Sequence, residues 1–110
     1  MGSEKAYYVV LNNPVEGEEE KFDRWTEDVH IPEVLAVDGF VAAQRYELAG
    51  PQRSAAPGPF RFMVMYEIDG DLATALANLG AAAPHMDKSV SSRPDRLAYA
   101  FVERGPRRVS

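Results

Sequence analysis

Residues 22–33 have the sequence FDRWTEDVHIPE, and this stretch decides the fold that can be predicted for the chain. Apolar side chains recur in it at helical spacing, at Phe22, Trp25 and Val29. Because Pro32 lacks a backbone N–H and disfavours helical geometry in the residue before it, we expect the helix to end there. A new short turn over 32–35 follows. The sequence therefore predicts that His30 lies at the C-terminal end of an amphipathic helix.

Outside this stretch, the pattern of apolar residues predicts four strands and a second helix. β-Branched and aromatic runs indicate strands over 6–11, 40–48, 60–68 and 97–102. An acidic cluster favours a start of the first helix at Glu18, and leucines at helical spacing predict the second helix over 72–82. The order βαββαβ is that of a ferredoxin-like α+β sandwich, in which a four-stranded antiparallel sheet carries two helices on one face.

The second strand and the loops beside it give further expectations. The turn into this strand is predicted at Asp38-Gly39. Simple alternation puts Phe40 and Tyr46 on one face of the strand and Arg45 on the other. The segment 50–59, rich in Gly, Pro, Ser and Ala, predicts a loop long enough to act as a lid or as a mobile hairpin connection.

The predicted central strands are apolar on both faces. The first contains the run AYYVVL and the third contains FMVMY. Two helices cover only one face of such a sheet, so the other face would be an apolar patch larger than monomers usually tolerate. A second copy of the chain, packed sheet to sheet about a two-fold axis, would cover that patch. We therefore predict a homodimer formed through the sheet faces.

Composition indicates an ordinary globular protein and excludes several functions. The 110 residues suit a single domain over 1–110, with 45% hydrophobic and 26% charged residues. The absence of cysteine excludes a disulfide framework and a thiolate metal site. A net charge of −5 argues against nucleic acid as a partner. With no apolar run of membrane-spanning length and no signal-peptide core, we expect a soluble, cytoplasmic protein without a membrane partner.

The chemistry of the chain is expected at His30, for which two interpretations remain open. Asp23 and Glu27 share its side of an ideal helix, so it could be a half-exposed histidine stabilised by the helix dipole and by Glu27. Alternatively, the break at Pro32 directs its imidazole into a pocket between the helices and the sheet. Carboxylates and the dipole would raise the pKa of His30, whereas burial would lower it.

Further candidate site residues are spread along the chain. Those that could line a pocket or orient a substrate are Tyr8, Trp25, Val34, Arg45 and His85. Tyr66 and Asn12 could polarise a carbonyl group, although packing and turn formation also account for them. For His85, a polar residue in a surface loop is the simpler explanation. The two histidines lack metal-ligand spacing and no nucleophile motif is present, so we expect no metal, no cofactor and no covalent catalysis.

A Trp-x4-His-x-Pro spacing marks the end of the predicted helix, at Trp25, His30 and Pro32. Two later segments, Asp38-Gly39-Phe40 and Arg45-Tyr46, add a turn and a strand that ends in Arg plus an aromatic residue. Together these features resemble the EthD-like group of the dimeric α/β-barrel superfamily. The sequence departs from the pattern of that group where Thr26 replaces an aromatic residue and Asp38 replaces a proline.

The resemblance extends from about Tyr7 to Phe101. It implies a ferredoxin-like fold, a dimer formed through the sheets and a pocket between helices and sheet, with His30 at the family's histidine position. Relatives in the superfamily include polyketide cyclases, lactone isomerases, aldoxime or hydroxynitrile lyases, and monooxygenases with or without haem.

Three functional hypotheses follow from the residues and the resemblance. The leading hypothesis is a cofactor-free acid–base enzyme of lyase, isomerase or cyclase type that acts on a small apolar, aromatic or polyketide-like molecule. In it, His30 transfers the proton and Tyr66 or Asn12 polarises a carbonyl group. The second is a non-catalytic small-molecule binding or accessory protein. The third is a monooxygenase of the antibiotic-biosynthesis type, with Asn12, Trp25 and a histidine near the substrate.

Overall fold

The computed structural model describes residues 5–110, which form one four-stranded antiparallel sheet with its helices on one face. The strands are β1 (Ala6–Asn12), β2 (Phe40–Glu47), β3 (Phe62–Ile68) and β4 (Leu97–Val102). Their order across the sheet is β2-β3-β1-β4, and every neighbouring pair is antiparallel. This is the predicted ferredoxin-like topology, with β1 and β3 as the central pair.

The helical part of the chain has two sections. The first comprises α1 (Glu19–Trp25), a π-helical turn (Thr26–His30) and α2 (Ile31–Leu35). The second comprises α3 (Leu72–Ala82) and a 3-10 turn (Ala83–His85). The bounds of α3 agree with the helix predicted over 72–82. Among residues 5–110, no helix is long and apolar enough to cross a membrane.

The first helical section continues past Pro32, so the prediction that this proline ends the helix is wrong. The backbone N–H of Ile31 donates to the carbonyl of Thr26, five residues back, which is the hydrogen bond that defines a π turn. The wide turn leaves Pro32 in the first turn of α2, where a missing N–H is tolerated. Thr26 is buried, and its hydroxyl donates to the Phe22 carbonyl at 2.8 Å, a contact that often accompanies a local distortion of a helix.

A register shift in β2 puts Phe40 on the side of the sheet that faces the helices. The pairing with β3 shifts directly after this residue, and such a bulge reverses the alternation of side chains. Phe40 is consequently buried in the core, where its ring makes edge-on contacts with Tyr8 and Tyr66. The prediction that Phe40 shares a face with Tyr46 is therefore wrong, because simple alternation cannot anticipate the bulge.

The two faces of the sheet differ in burial. Alternate residues of β3 are buried beneath the helices, at Phe62, Val64, Tyr66 and Ile68. The opposite face carries apolar residues from the other positions, and on β4 of this face Tyr99 is 58% exposed and Phe101 is 56% exposed. Within the described part of the chain, this second face has no covering layer. The sheet is therefore apolar on both faces, as its sequence predicts, and the helices cover only one of them.

The contact between α3 and the start of β2 depends on a glycine. Gly39 has a φ of +102°, which confirms the turn predicted at this position. A Cβ at Gly39 would lie 2.7 Å from the Cβ of Ala75, so a larger residue would push α3 away. Asp71 caps α3, because its carboxylate accepts a hydrogen bond from the Thr74 backbone N–H at 2.9 Å. These two features fix the position of α3 over the sheet.

The segment 50–59 forms an exposed loop beyond the ends of the strands, on the side of the sheet where the C-terminus of β1 lies. The side-chain amide of Asn13 donates to the carbonyl of Pro59 at 2.9 Å and its oxygen accepts from the Arg61 backbone N–H at 2.7 Å. These contacts hold the end of the loop beside β1. No residue of 50–59 is among the described residues that line the cavity between the sheet and the helices.

Candidate functional site

A cavity of about 360 Å³ lies between the sheet and the helices and is called the apolar cavity below. Its apolar walls are formed by β1 and β4, by α2 and α3, and by the segment after α3. The apolar side chains in these walls are those of Val10, Val34, Leu76, Leu79, Met86 and Ala98. Its polar lining residues are Tyr8, His30, Tyr66 and Arg96. A cavity of this volume, with apolar walls and a few polar groups, is typical of sites for small organic molecules.

The π turn brings the side chains of Trp25 and His30 together. In a regular α-helix, residues five apart are separated by about 140° around the axis and do not touch. The wider π turn brings such residues almost above one another. The indole of Trp25 accordingly stacks on the imidazole of His30, with ring centroids 4.6 Å apart and an angle of 16° between the ring planes. The turn therefore shapes the surroundings of the histidine.

His30 is half-buried, and its Nδ1 atom is buried without a hydrogen-bond partner among the described residues. Burial lowers the pKa of His30 below its ordinary value of 6.5; Glu33 raises this pKa and Arg96 lowers it, both to a smaller extent. The effect of burial on the pKa of His30 is therefore larger than the opposing effect of nearby carboxylates. The imidazole is neutral at neutral pH, with an unpaired ring nitrogen.

The carboxylates expected beside His30 are held elsewhere. Asp23 accepts a hydrogen bond from Arg45 at 2.9 Å, and Glu27 accepts one from the same guanidinium at 3.4 Å. Neither Asp23 nor Glu27 is among the groups that shift the pKa of His30, so the predicted stabilisation of His30 by Glu27 is wrong. The helix also continues beyond His30, so the negative end of a helix dipole does not lie at this residue.

A second hollow, of about 310 Å³, lies on the outer side of His30 and is called the outer hollow. It shares four lining residues with the apolar cavity, namely His30, Ala83, Met86 and Arg96. Its own lining includes Trp25, Asp87, Lys88 and Arg93. Asp87 holds this region together. Its carboxylate accepts from the Trp25 indole N–H at 2.9 Å, and its backbone N–H donates to the carboxylate of Glu33 at 3.1 Å.

Tyr66 lines the apolar cavity from the centre of β3 and is only 1% exposed. Burial raises the pKa of Tyr66 well above its ordinary value of 10, the neighbouring Tyr8 raises it further, and Arg45 lowers it. The phenol of Tyr66 is therefore protonated at every physiological pH, and it is a hydrogen-bond donor in this site.

Three of the predicted site residues lie away from the apolar cavity. Asn12 is buried at the end of β1, and its Oδ1 has no hydrogen-bond partner among the described residues. Arg45 is held by Asp23 and Glu27, with its guanidinium over the rings of Phe22 and Phe62. His85 is exposed and borders a separate surface groove with Glu33 and Asn78. Tyr8, Val34, Tyr66 and His30 are the predicted residues that the structure brings together, and Trp25 flanks them.

Arg96 and Met86 are lining residues that the sequence analysis did not identify. Both belong to the segment between α3 and β4, which has no periodic pattern from which a facing direction could be derived. The spacing of Leu76 and Leu79 predicts that they share one face of α3, and both line the cavity. Among residues 5–110, no three His, Asp or Glu side chains are close enough to hold a metal ion.

The fold is shared with several solved structures. An EthD-like protein from Ralstonia eutropha JMP134 matches with a TM-score of 0.68 and 15% identity, over 91% of this chain and 92% of that one. An EthD family protein from Bacillus halodurans C-125 matches with a TM-score of 0.61 and 11% identity, over 93% and 100%. A dimeric ferredoxin-like protein of unknown function from Jannaschia sp. CCS1 matches with a TM-score of 0.58 and 13% identity, over 88% and 97%.

The sequence matches no protein-family model and no curated protein. The structural matches therefore carry the similarity, and at these identities they show the ferredoxin-like fold that the resemblance to EthD-like proteins implied.

Proposed function

We propose that the chain is a cofactor-free acid–base enzyme of lyase, isomerase or cyclase type. Its substrate is a small apolar molecule of aromatic or polyketide-like character that enters the apolar cavity. The observation that carries this proposal is the imidazole of His30, which lines the cavity and is kept neutral at neutral pH by the burial that lowers its pKa.

In the proposed reaction, the neutral imidazole of His30 accepts a proton from a carbon atom next to a carbonyl group. The electron pair of the broken C–H bond moves toward the carbonyl oxygen, which becomes an enolate. The protonated imidazole then returns the proton to another atom of the substrate. The lowered pKa of His30 suits the first step, because it keeps the base unprotonated at neutral pH.

Tyr66 is proposed to polarise the carbonyl group. Its phenol remains protonated because burial raises its pKa, and it lines the same cavity as His30. A hydrogen bond from a fixed donor to an oxygen that gains negative charge stabilises the transition state in a water-poor site. Asn12, the other candidate for this role, is left out of the proposal because it does not line the cavity.

Deuterium exchange tests the proposed proton transfer without knowledge of the natural substrate. The bicyclic ketone 2-tetralone would be incubated with the protein in D₂O, and loss of its α-proton signal would be followed by NMR. We expect the protein to accelerate this exchange and His30→Gln to reduce the acceleration by a factor of about 10² to 10⁴. His85→Gln is the matched control, since it alters the exposed histidine outside the cavity, and it should leave the rate unchanged.

Two outcomes would contradict the proposal. Equal acceleration by His30→Gln and by the unchanged protein would remove His30 from the chemistry. Binding of 2-tetralone without any acceleration would favour the alternative of a non-catalytic binding protein, which uses the same cavity but transfers no proton.

We also propose that the chain forms a homodimer through the uncovered face of its sheet. Tyr99 and Phe101 are more than half exposed on that face, and burial of such side chains against a second copy would stabilise a two-fold assembly. The Jannaschia protein, whose fold is similar, is described as dimeric, which supports the proposal. In such a dimer the helices and the apolar cavity remain on the outside of the paired sheets.

A further inference from the structure

Arg96 has an unusual position in the candidate site. It lines both the apolar cavity and the outer hollow, next to His30, which also borders both. Among the described residues that line the apolar cavity, Arg96 is the only one with a permanent charge. Within residues 5–110, its guanidinium makes no ion pair and no hydrogen bond with another side chain. An unpaired cation therefore marks the junction of the two spaces.

Two neighbouring charged groups have protein partners. In the outer hollow, Arg93 is paired with Asp95 at 2.8 Å, and the Asp87 carboxylate accepts from the Trp25 indole. Lys88 contacts the Ala83 carbonyl at 3.5 Å. The outer hollow is lined by three cationic side chains, Lys88, Arg93 and Arg96, of which Arg96 is the one that also lines the apolar cavity.

We propose that Arg96 binds an acidic group of the substrate, so that the natural substrate is a monoanion with an apolar ring body. The inference rests on the proposed function and deepens it, since it names the charge class of the molecule that His30 acts on. The ring body lies in the apolar cavity, and its single carboxylate or acidic enol points toward the outer hollow. A planar guanidinium is well suited to this role because it binds the two oxygens of a carboxylate with two parallel hydrogen bonds and can also donate to the single oxygen of an acidic enol.

This arrangement also connects binding with the state of the base. Arg96 without a ligand disfavours a positive charge on His30, whereas an anion bound to Arg96 would cancel that effect. Glu33 on α2 raises the pKa of His30 and Arg96 lowers it. The other titratable or charged groups that line the two spaces with His30 are Tyr8, Tyr66, Asp87, Lys88 and Arg93. Of the two charged groups that shift this pKa, Glu33 accepts a hydrogen bond from the Asp87 backbone N–H and Arg96 has no partner among residues 5–110, so a ligand can change the field of Arg96.

The experiment compares two fluorescent probes that differ in one charged group. 8-Anilino-1-naphthalenesulfonate carries a sulfonate, and N-phenyl-1-naphthylamine has the same ring system without it. Both would be titrated into the unchanged protein, Arg96→Gln and Arg93→Gln. We expect Arg96→Gln to weaken binding of the sulfonate probe about tenfold and to leave binding of the neutral probe unchanged. Arg93→Gln removes the same charge from the same hollow and should have little effect on either probe.

The outcomes separate this inference from the proposed function. Equal loss of both probes in Arg96→Gln, or equal weakening of the sulfonate probe by Arg93→Gln, would overturn the assignment of Arg96. Failure of the unchanged protein to bind either probe would instead count against the apolar cavity as a ligand site, and thus against the proposed function. Binding of the neutral probe with no preference for the anion would overturn only the inference about charge.

Discussion

The indole of Trp25 covers one face of the His30 imidazole, with the two ring centroids 4.6 Å apart and the rings nearly parallel. Asp87 fixes this arrangement by accepting a hydrogen bond from the indole N–H. Trp25 thus contributes to the burial that lowers the pKa of His30. The stacking depends on the π turn, because a regular α-helix would place these two side chains on different sides.

Removal of the indole should raise the pKa of His30. In Trp25→Ala, water reaches the imidazole, the charged form is better solvated, and the pKa should move upward toward the ordinary value of 6.5. The measurement is an NMR titration of the imidazole signals, with the exposed His85 as an internal reference in the same spectra. An unchanged titration curve for His30 would show that the indole is not responsible for the shift.

Protonation of His30 should reduce stability at mildly acidic pH. The unfolded chain binds this proton near pH 6.5 and the folded chain binds it only at lower pH, so between these values the unfolded state holds more protons. Stability should therefore fall as pH falls through this window and be unaffected by His30 above it. Denaturant unfolding at about pH 7.5 and about pH 5.5 would test this. His30→Gln should show a smaller difference between the two; equal differences would contradict the prediction.

The uncovered face of the sheet should be the site of self-association. Tyr99→Asp places a charge on that face, and a two-fold interface would contain the charge twice, so the protein should sediment as a monomer. Val90→Asp is the matched control, because Val90 is 90% exposed and lies outside the sheet. Sedimentation velocity should report a dimer for the unchanged protein and for Val90→Asp. A monomer in all three samples would refute the dimer.

Gly80 offers a way to fill the apolar cavity without disturbing α3. It lines the cavity, and a Cβ at this position would meet no heavy atom within 4 Å. Gly80→Ala should raise the free energy of unfolding by about 0.5–1 kcal/mol, because glycine is unfavourable inside a helix. Gly80→Leu should keep the fold and weaken binding of N-phenyl-1-naphthylamine, as measured by fluorescence. Tight binding in a folded Gly80→Leu would indicate that the probe binds elsewhere.

The arrangement of the helices and the sheet could be predicted from the sequence because it depends on the periodic spacing of apolar residues. Apolar residues recur at strand or helical spacing in each of the strands and in α3. The order of these elements predicts the ferredoxin-like topology. The position of His30 beside a pocket was one of two open interpretations. Its surroundings could not be predicted, because they depend on one extra residue in a turn, and a π turn has no distinctive pattern of apolar spacing.

By itself, the sequence determined the order of the elements, the central pair of strands and the two-sided apolar character of the sheet. Local periodicity is sufficient for these features, since each element must bury one face or both. Only the tertiary structure decided that the helix continues through Pro32, that burial lowers the pKa of His30, and that Arg96 reaches the same cavity. The reason is physical: burial and charge at one residue depend on segments distant in sequence that pack around it, and no local pattern encodes them.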